Sequence, residues 1–167
     1  MNVVFLDIDG VVLPFGDNFK NPKSALICAK YVNRLCLEAQ AKVVISSSWR
    51  YKALLEGADW RTGHLSDTWK GQQHWLKTAI GLDVEVIGMT PPLGLGPMIV
   101  EHAVRGQEIL AWLDEHPEVT NWIAIDDLPQ WLGLKQVLSR AVITEPCVGM
   151  TEFSVELGLR LFRGPAD

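Results

Sequence analysis

Apolar and polar positions fall in blocks along this chain, and the blocks predict alternating strands and helices. Residues 3–6 form a short apolar run that reads as a buried strand and stops at Asp7. A loop with Pro14, Gly16, Asp17 and Asn18 follows. Asn21-Pro22 then has the form of a helix N-cap with proline in the first turn. Cys28, Val32, Leu35 and Ala39 recur at helical spacing and predict an inward stripe. Residues 42–45 predict a second strand, ending at Ser46-Ser47-Ser48. Residues 49–80 are mostly polar with embedded tryptophans, and a helix is expected from 67 to 80, ended by Gly81.

A third strand is expected at 83–87. Residues 90–97 hold three prolines and two glycines and predict a loop. Residues 105–116 predict a helix with Ile109, Trp112 and Leu113 on one face, stopped by Pro117. Residues 122–125 predict a fourth strand, ending at Asp126-Asp127. A helix near 131–138, a strand near 141–144, and a last helix over 151–162 with Thr151 as N-cap complete the chain. Such alternation implies an α/β fold of about five parallel strands with helices on both faces. Ligands in such sheets bind outside the carboxyl ends of the strands. No internal repeat, low-complexity segment or linker interrupts the pattern, so residues 1–167 are expected to form a single domain.

Composition narrows the function classes. Hydrophobic content is 48% and charged content 21%, ordinary globular usage that excludes disorder. A net charge of -5 argues against a broad basic face for nucleic acid or anionic membrane, although a local patch remains open. Cys28, Cys36 and Cys147 are odd in number and lack a C-x-x-C, which argues against a disulfide framework or zinc site and for inert thiols. The apolar N-terminus carries Asp7 and Asp9 without a basic leader, so no signal peptide is expected. No run of eighteen apolar residues predicts a membrane span. A cytoplasmic protein is the expectation.

The chemistry gathers where strands end. Residues i and i+2 of an extended chain point to the same side, so Asp7 and Asp9 project together. Two carboxylates so placed repel unless a proton or cation lies between them. Alone, Asp-x-Asp is equally a strand stopping at a polar turn. The second strand ends in Ser46, the fourth in Asp126 and Asp127, and Arg105 opens the helix leading into the fourth. All these ends share one edge of a parallel sheet. Four acids, a hydroxyl and a fixed positive charge suit phosphoryl transfer. Carboxylates bind magnesium, Arg105 and the cation neutralise phosphate charge, and an aspartate can attack phosphorus.

These residues carry a resemblance. Val4-Phe5-Leu6-Asp7-Ile8-Asp9-Gly10-Val11, Val43-Val44-Ile45-Ser46, Arg105 and Ile123-Ala124-Ile125-Asp126-Asp127 resemble, in order, the four motifs of the haloacid dehalogenase-like (HAD) phosphohydrolases. Ser-Ser-Ser-Trp-Arg, Gly88-Met89-Thr90-Pro91 and Arg105-Gly106-Gln107-Glu108-Ile109 are similar to a compact branch that includes HAD domains associated with RNA repair proteins. The resemblance implies a three-layer Rossmann-like fold without a large cap, and a Mg2+-dependent phosphatase working through an aspartyl-phosphate. It implies Asp7 as nucleophile and metal ligand, and Asp9 as general acid and base with its backbone carbonyl a second ligand. Asp126 or Asp127 completes the metal site, Ser46 or Ser47 binds the phosphoryl group, and Arg105 stabilises it. Arg105 departs from the lysine usual in the third motif, and arginine is not an equivalent donor.

The implied substrate is a nucleotide or nucleic-acid end first and a small metabolite second. A non-catalytic phosphate-binding module is the competing class, although it has no need for the second aspartate. The short stretches between motifs imply an open site shielded at most by loops near 14–20 and 90–104. Trp49-Arg50, Trp60-Arg61 and Trp69-Lys70 interleave aromatic and basic residues, which suits either base stacking or, as favoured here, packing against the sheet. Of the four histidines only His102 is a candidate for substrate contact, and none pairs as a metal ligand.

Overall fold

The computed structural model describes residues 1–15, 22–51, 67–93 and 104–164. Five short strands, β1 (Asn2–Leu6), β2 (Ala41–Ile45), β3 (Val86–Met89), β4 (Asn121–Asp126) and β5 (Ala141–Ile143), form one sheet in the order β3-β2-β1-β4-β5. Every pairing is parallel. β1 is central, with Asn2 beside Ala41 on one flank and beside Asn121 on the other.

Strand alternation divides the interior into two cores. Val4, Leu6, Val43, Ile45, Ile123 and Ile125 face α1 (Pro22–Ala39), α2 (Asp67–Ile80) and α6 (Glu152–Arg163). Val3, Phe5, Val44 and Ala124 face α3 (Val104–Asp114) and the single turns α4 (Pro129–Leu132) and α5 (Lys135–Leu138). Helices thus cover both faces, which is why the central strands read as unbroken apolar runs. The expected α1 stripe is buried, Val32 and Leu35 completely. The Asn21 cap lies outside the described residues. Thr151 caps α6 as expected, its hydroxyl accepting from the Ser154 amide in a capping box.

Several boundaries differ from the sequence expectation, and three of the differences involve a glycine or a turn. The third strand, expected at 83–87, begins only at Val86 and runs through Gly88 to Met89. Gly88 belongs in the strand because the Trp112 indole packs over it, 3.4 Å from where a Cβ would stand. The helix expected near 131–138 is broken into α4 and α5 at Gly133, whose φ is +53°. The helix expected to run to His116 ends at Asp114, and the next residues close it with turns in which the His116 amide donates to Leu113 O. Among the thiols, Cys28 and Cys36 are buried and free, and Cys147 is free but exposed. Among the described residues no helix is long and apolar enough to cross a membrane.

α2 contains a glycine for which the described residues give no packing reason. A Cβ at Gly71 would meet nothing within 4 Å among the described residues. Glycine inside a helix costs about 0.5–1 kcal/mol relative to alanine. Gly71→Ala is expected to stabilise the protein by about that amount and to raise Tm by roughly 1–4 °C, read from a thermal melt followed by circular dichroism.

Candidate active site

The carboxyl edge of β1 delivers the first two acids. The chain stays in the sheet through Asp7, whose amide donates to Ile125 O at 3.0 Å, and then turns sharply. Gly10 takes φ +72° within this turn, and a Cβ there would stand 2.4 Å from Asp127 Oδ2. Only glycine lets the turn close against that carboxylate. The Thr144 hydroxyl, just past β5, donates to Gly10 O at 2.9 Å and ties the turn to the sheet. Asp7 is buried and Asp9 half-buried.

β4 delivers the other two. Asp126 and Asp127 are both buried, and carboxylate oxygens of Asp7, Asp126 and Asp127 lie within 4.8 Å of one another. Arg105, near the start of α3, reaches into this group. Its Nη1 donates to Asp7 Oδ2 at 2.7 Å and to Asp126 Oδ2 at 2.5 Å. The guanidinium lies over the Trp131 ring, 4.7 Å from its centroid. The second oxygen of each bridged acid is held by backbone: Asp7 Oδ1 accepts from the Ile8 amide and Asp126 Oδ1 from the Leu128 amide, both at 2.8 Å. Asp126 therefore also closes the turn into α4.

β2 delivers the hydroxyls. Ser46 is buried, and its Oγ has no hydrogen-bond partner among the described residues. An unpaired buried hydroxyl costs free energy unless something is meant to meet it. Ser47 is committed to its own loop, with Oγ accepting from the Trp49 amide at 3.4 Å and its carbonyl accepting from Arg50 Nη1 at 2.7 Å. Thr90, just past β3 and fully buried, presents a second Oγ without a partner among the described residues.

Two contacts that sequence reasoning did not find organise this edge. The Trp49 indole N–H donates to Asp9 Oδ2 at 2.9 Å and fixes that carboxylate apart from the other three. Arg50 and Glu108 form a buried ion pair, 1% and 2% exposed at the side chain. Arg50 Nε also donates to Thr90 O at 3.1 Å, and Glu108 accepts from the Leu93 amide at 3.3 Å. Arg50 thus serves an internal network, in line with packing and not with a basic stacking surface. Trp69 is fully buried in the core, as the packing alternative expects. Trp60, Arg61, His64, His102 and most of the two shielding loops lie outside the described residues.

Electrostatics follow from burial. Desolvation raises the Asp9 carboxyl above its ordinary range, opposed by the Trp49 hydrogen bond and reinforced by Asp7. Asp127 is pushed up to about 6, first by burial and then by Asp7. Burial raises Asp126 against the pull of Arg105. For Arg105 burial works against the charge, but Asp7 and Asp126 more than offset it and hold the guanidinium protonated. Three carboxylates facing one guanidinium leave a formal excess of two negative charges, the charge a divalent cation cancels. Hard oxygen donors on rigid strand ends suit magnesium, and the set fits it.

Against known families, residues 3–155 match the model described as the HAD domain in Swiss Army Knife RNA repair proteins. No curated protein and no solved structure matches the chain.

Proposed function

Because this chain belongs to the family of HAD domains in Swiss Army Knife RNA repair proteins, we propose that it is a magnesium-dependent phosphatase. Its substrate is a phosphomonoester, foremost a nucleotide or nucleic-acid end, with a small metabolite as the second class. The observation that carries the reading is the meeting of Asp7, Asp126 and Asp127 around Arg105 at one sheet edge, with Asp9 set apart and Ser46 Oγ without a partner among the described residues. Residues 1–167 act as one catalytic unit.

Asp7, the backbone carbonyl of Asp9, and Asp126 or Asp127 would hold magnesium, which when bound neutralises negative charge on the transferring phosphoryl group. The remaining steps belong to the chain. Ser46 Oγ and Arg105 take the phosphoryl oxygens, and Ser46 is preferred over Ser47 because its hydroxyl has no partner among the described residues. An Asp7 oxygen attacks phosphorus and the phosphorus–ester oxygen bond breaks. Protonated Asp9 gives its proton to the departing oxygen, which leaves an aspartyl-phosphate on Asp7. Asp9, now a carboxylate, takes a proton from water as that water attacks phosphorus. The Asp7–phosphorus bond breaks and inorganic phosphate departs.

The test is phosphate release over a panel of nucleotides, 3′- and 5′-phosphorylated oligonucleotides and sugar phosphates. Release that requires magnesium and stops with a chelator is expected. No release from any member would overturn the reading.

Metal binding has a second readout. A raised carboxyl such as Asp127 contributes stability that is full below about pH 4 and lost as pH rises through about 6 in the metal-free protein. A cation that binds the ionised carboxylates reverses that loss. Saturating magnesium should therefore raise Tm more at pH 7.5 than at pH 5. At a hundred times Kd the gain is about 2.7 kcal/mol, or roughly 5–10 °C.

A further inference from the structure

Beside Asp9 lies an open cleft of about 400 Å³. Among the described residues it is lined by Trp49, Gly71, Gln72 and Trp75. Trp49 and Trp75 stand with ring centroids 6.2 Å apart and planes tilted by 33°, a wedge instead of a closed stack. Trp75 is 46% exposed, unusual for so large an aromatic surface in the absence of a partner. Gly71 lies one helical turn before Trp75, on the same face of α2. It leaves the floor bare at a cost to the helix that nothing in the described packing explains. Gln72 Oε1 is buried and has no hydrogen-bond partner among the described residues. The cleft adjoins the site through one side chain, since the indole that forms its wall also donates to Asp9 Oδ2 at 2.9 Å.

We infer that this cleft is the leaving-group subsite and that it takes a nucleobase. The inference rests on the phosphatase reading and deepens it. Asp9 is the group that protonates the departing oxygen, so whatever carries that oxygen extends from Asp9 along Trp49 into the cleft. Two aromatic walls above a helix face left bare at Gly71 select a planar ring. A short aliphatic chain offers no flat face to the indoles, and a puckered sugar covers them less well than a planar base. A base stacks on Trp75 without regard to its identity, because every base has a π-face. The net charge of -5 fits recognition by stacking at one terminal nucleotide better than tracking of a long phosphate backbone.

The test is equilibrium binding in the Asp7→Asn protein, with magnesium, of adenosine 3′- and 5′-monophosphate against ribose 5-phosphate. Binding is read by tryptophan fluorescence and by calorimetry. At least one nucleotide should bind about tenfold or more tightly than the sugar phosphate and quench indole emission. Trp75→Ala, which removes a wall, and Gly71→Leu, which fills the floor, should each reduce that advantage to about twofold or less. In the Asp7-containing protein the same variants should lower the ratio of kcat/KM for nucleotide over sugar phosphate, mostly through KM. Equal binding of nucleotide and sugar phosphate, or an advantage that survives in both variants, would overturn the inference. Turnover of the phosphate panel without a base advantage would remove the subsite and leave the phosphatase. Base-dependent binding with no turnover would do the reverse.

Discussion

Asp7→Asn is expected to abolish phosphate release, while Asp9→Asn stalls halfway. The amide at residue 7 cannot form the covalent intermediate, so every substrate should fall to background. It also removes one of the charges that face Arg105, so the folded protein should persist. Asp9→Asn leaves the nucleophile intact and removes the proton carrier. An alkyl phosphate then loses roughly 10²–10⁴ in kcat, the usual worth of a general acid. An aryl phosphate with a good leaving group needs little protonation. It should release about one equivalent of aryl alcohol quickly and then stop, because no base is left to activate water. A stopped-flow trace with a burst of that size, and phosphate retained on the protein, separates the two aspartates by role. An Asp7→Asn protein that turns over near the parent rate would remove the nucleophile assignment.

The second large effect concerns stability. Arg50→Met leaves Glu108 buried without its partner and is expected to cost about 3–5 kcal/mol, a fall in Tm of roughly 6–20 °C. Arg50→Met combined with Glu108→Leu should recover most of that loss, because a well-packed apolar pair avoids desolvating either charge. Burial already raises the Glu108 carboxyl against the opposing pull of Arg50, so in the single variant the acid is expected to take up a proton. The recovered double variant should nonetheless be a poorer catalyst. Glu108 stands one turn of α3 beyond Arg105, and Arg50 stands in the helical residues that directly follow Ser46-Ser47-Ser48. The pair therefore sets the distance between the two groups that would hold the phosphoryl oxygens. A double-mutant cycle followed by both Tm and kcat/KM distinguishes this from a purely structural pair, for which kcat/KM recovers together with Tm.

Most of the sheet and the four corners of the candidate site were legible in the chain. The central strands are covered on both faces, so their apolar runs are unambiguous, and each ends where polar residues must begin. Asp7, Asp9, Ser46, Arg105, Asp126 and Asp127 all stand at or beside those ends. Parallel topology alone brings them to one edge. What stayed hidden depends on contacts between distant positions. Arg50 and Glu108 are 58 residues apart, and nothing local marks either as buried. The Trp49–Asp9 bond joins a turn and a distant helical residue with no shared period. Gly88 and Gly133 are the same residue type with opposite meanings. One is fixed in a strand by an overlying indole, the other breaks a helix with a positive φ, and only the packing tells them apart.

The central place of β1 also sets an order of assembly. A chain emerging from the ribosome presents Asp7 and Asp9 first, and they can gain Ser46 once β2 has joined β1. The opposite flank stays open until residues 121–126 arrive and pair along Asn2–Leu6. Only then do Asp126 and Asp127 meet the first acids. A nascent chain halted before that point carries two like charges on a strand with one unpaired edge, and has neither the full carboxylate set nor the arginine's second anchor. The three carboxylates thus come together only once synthesis has passed the fourth strand.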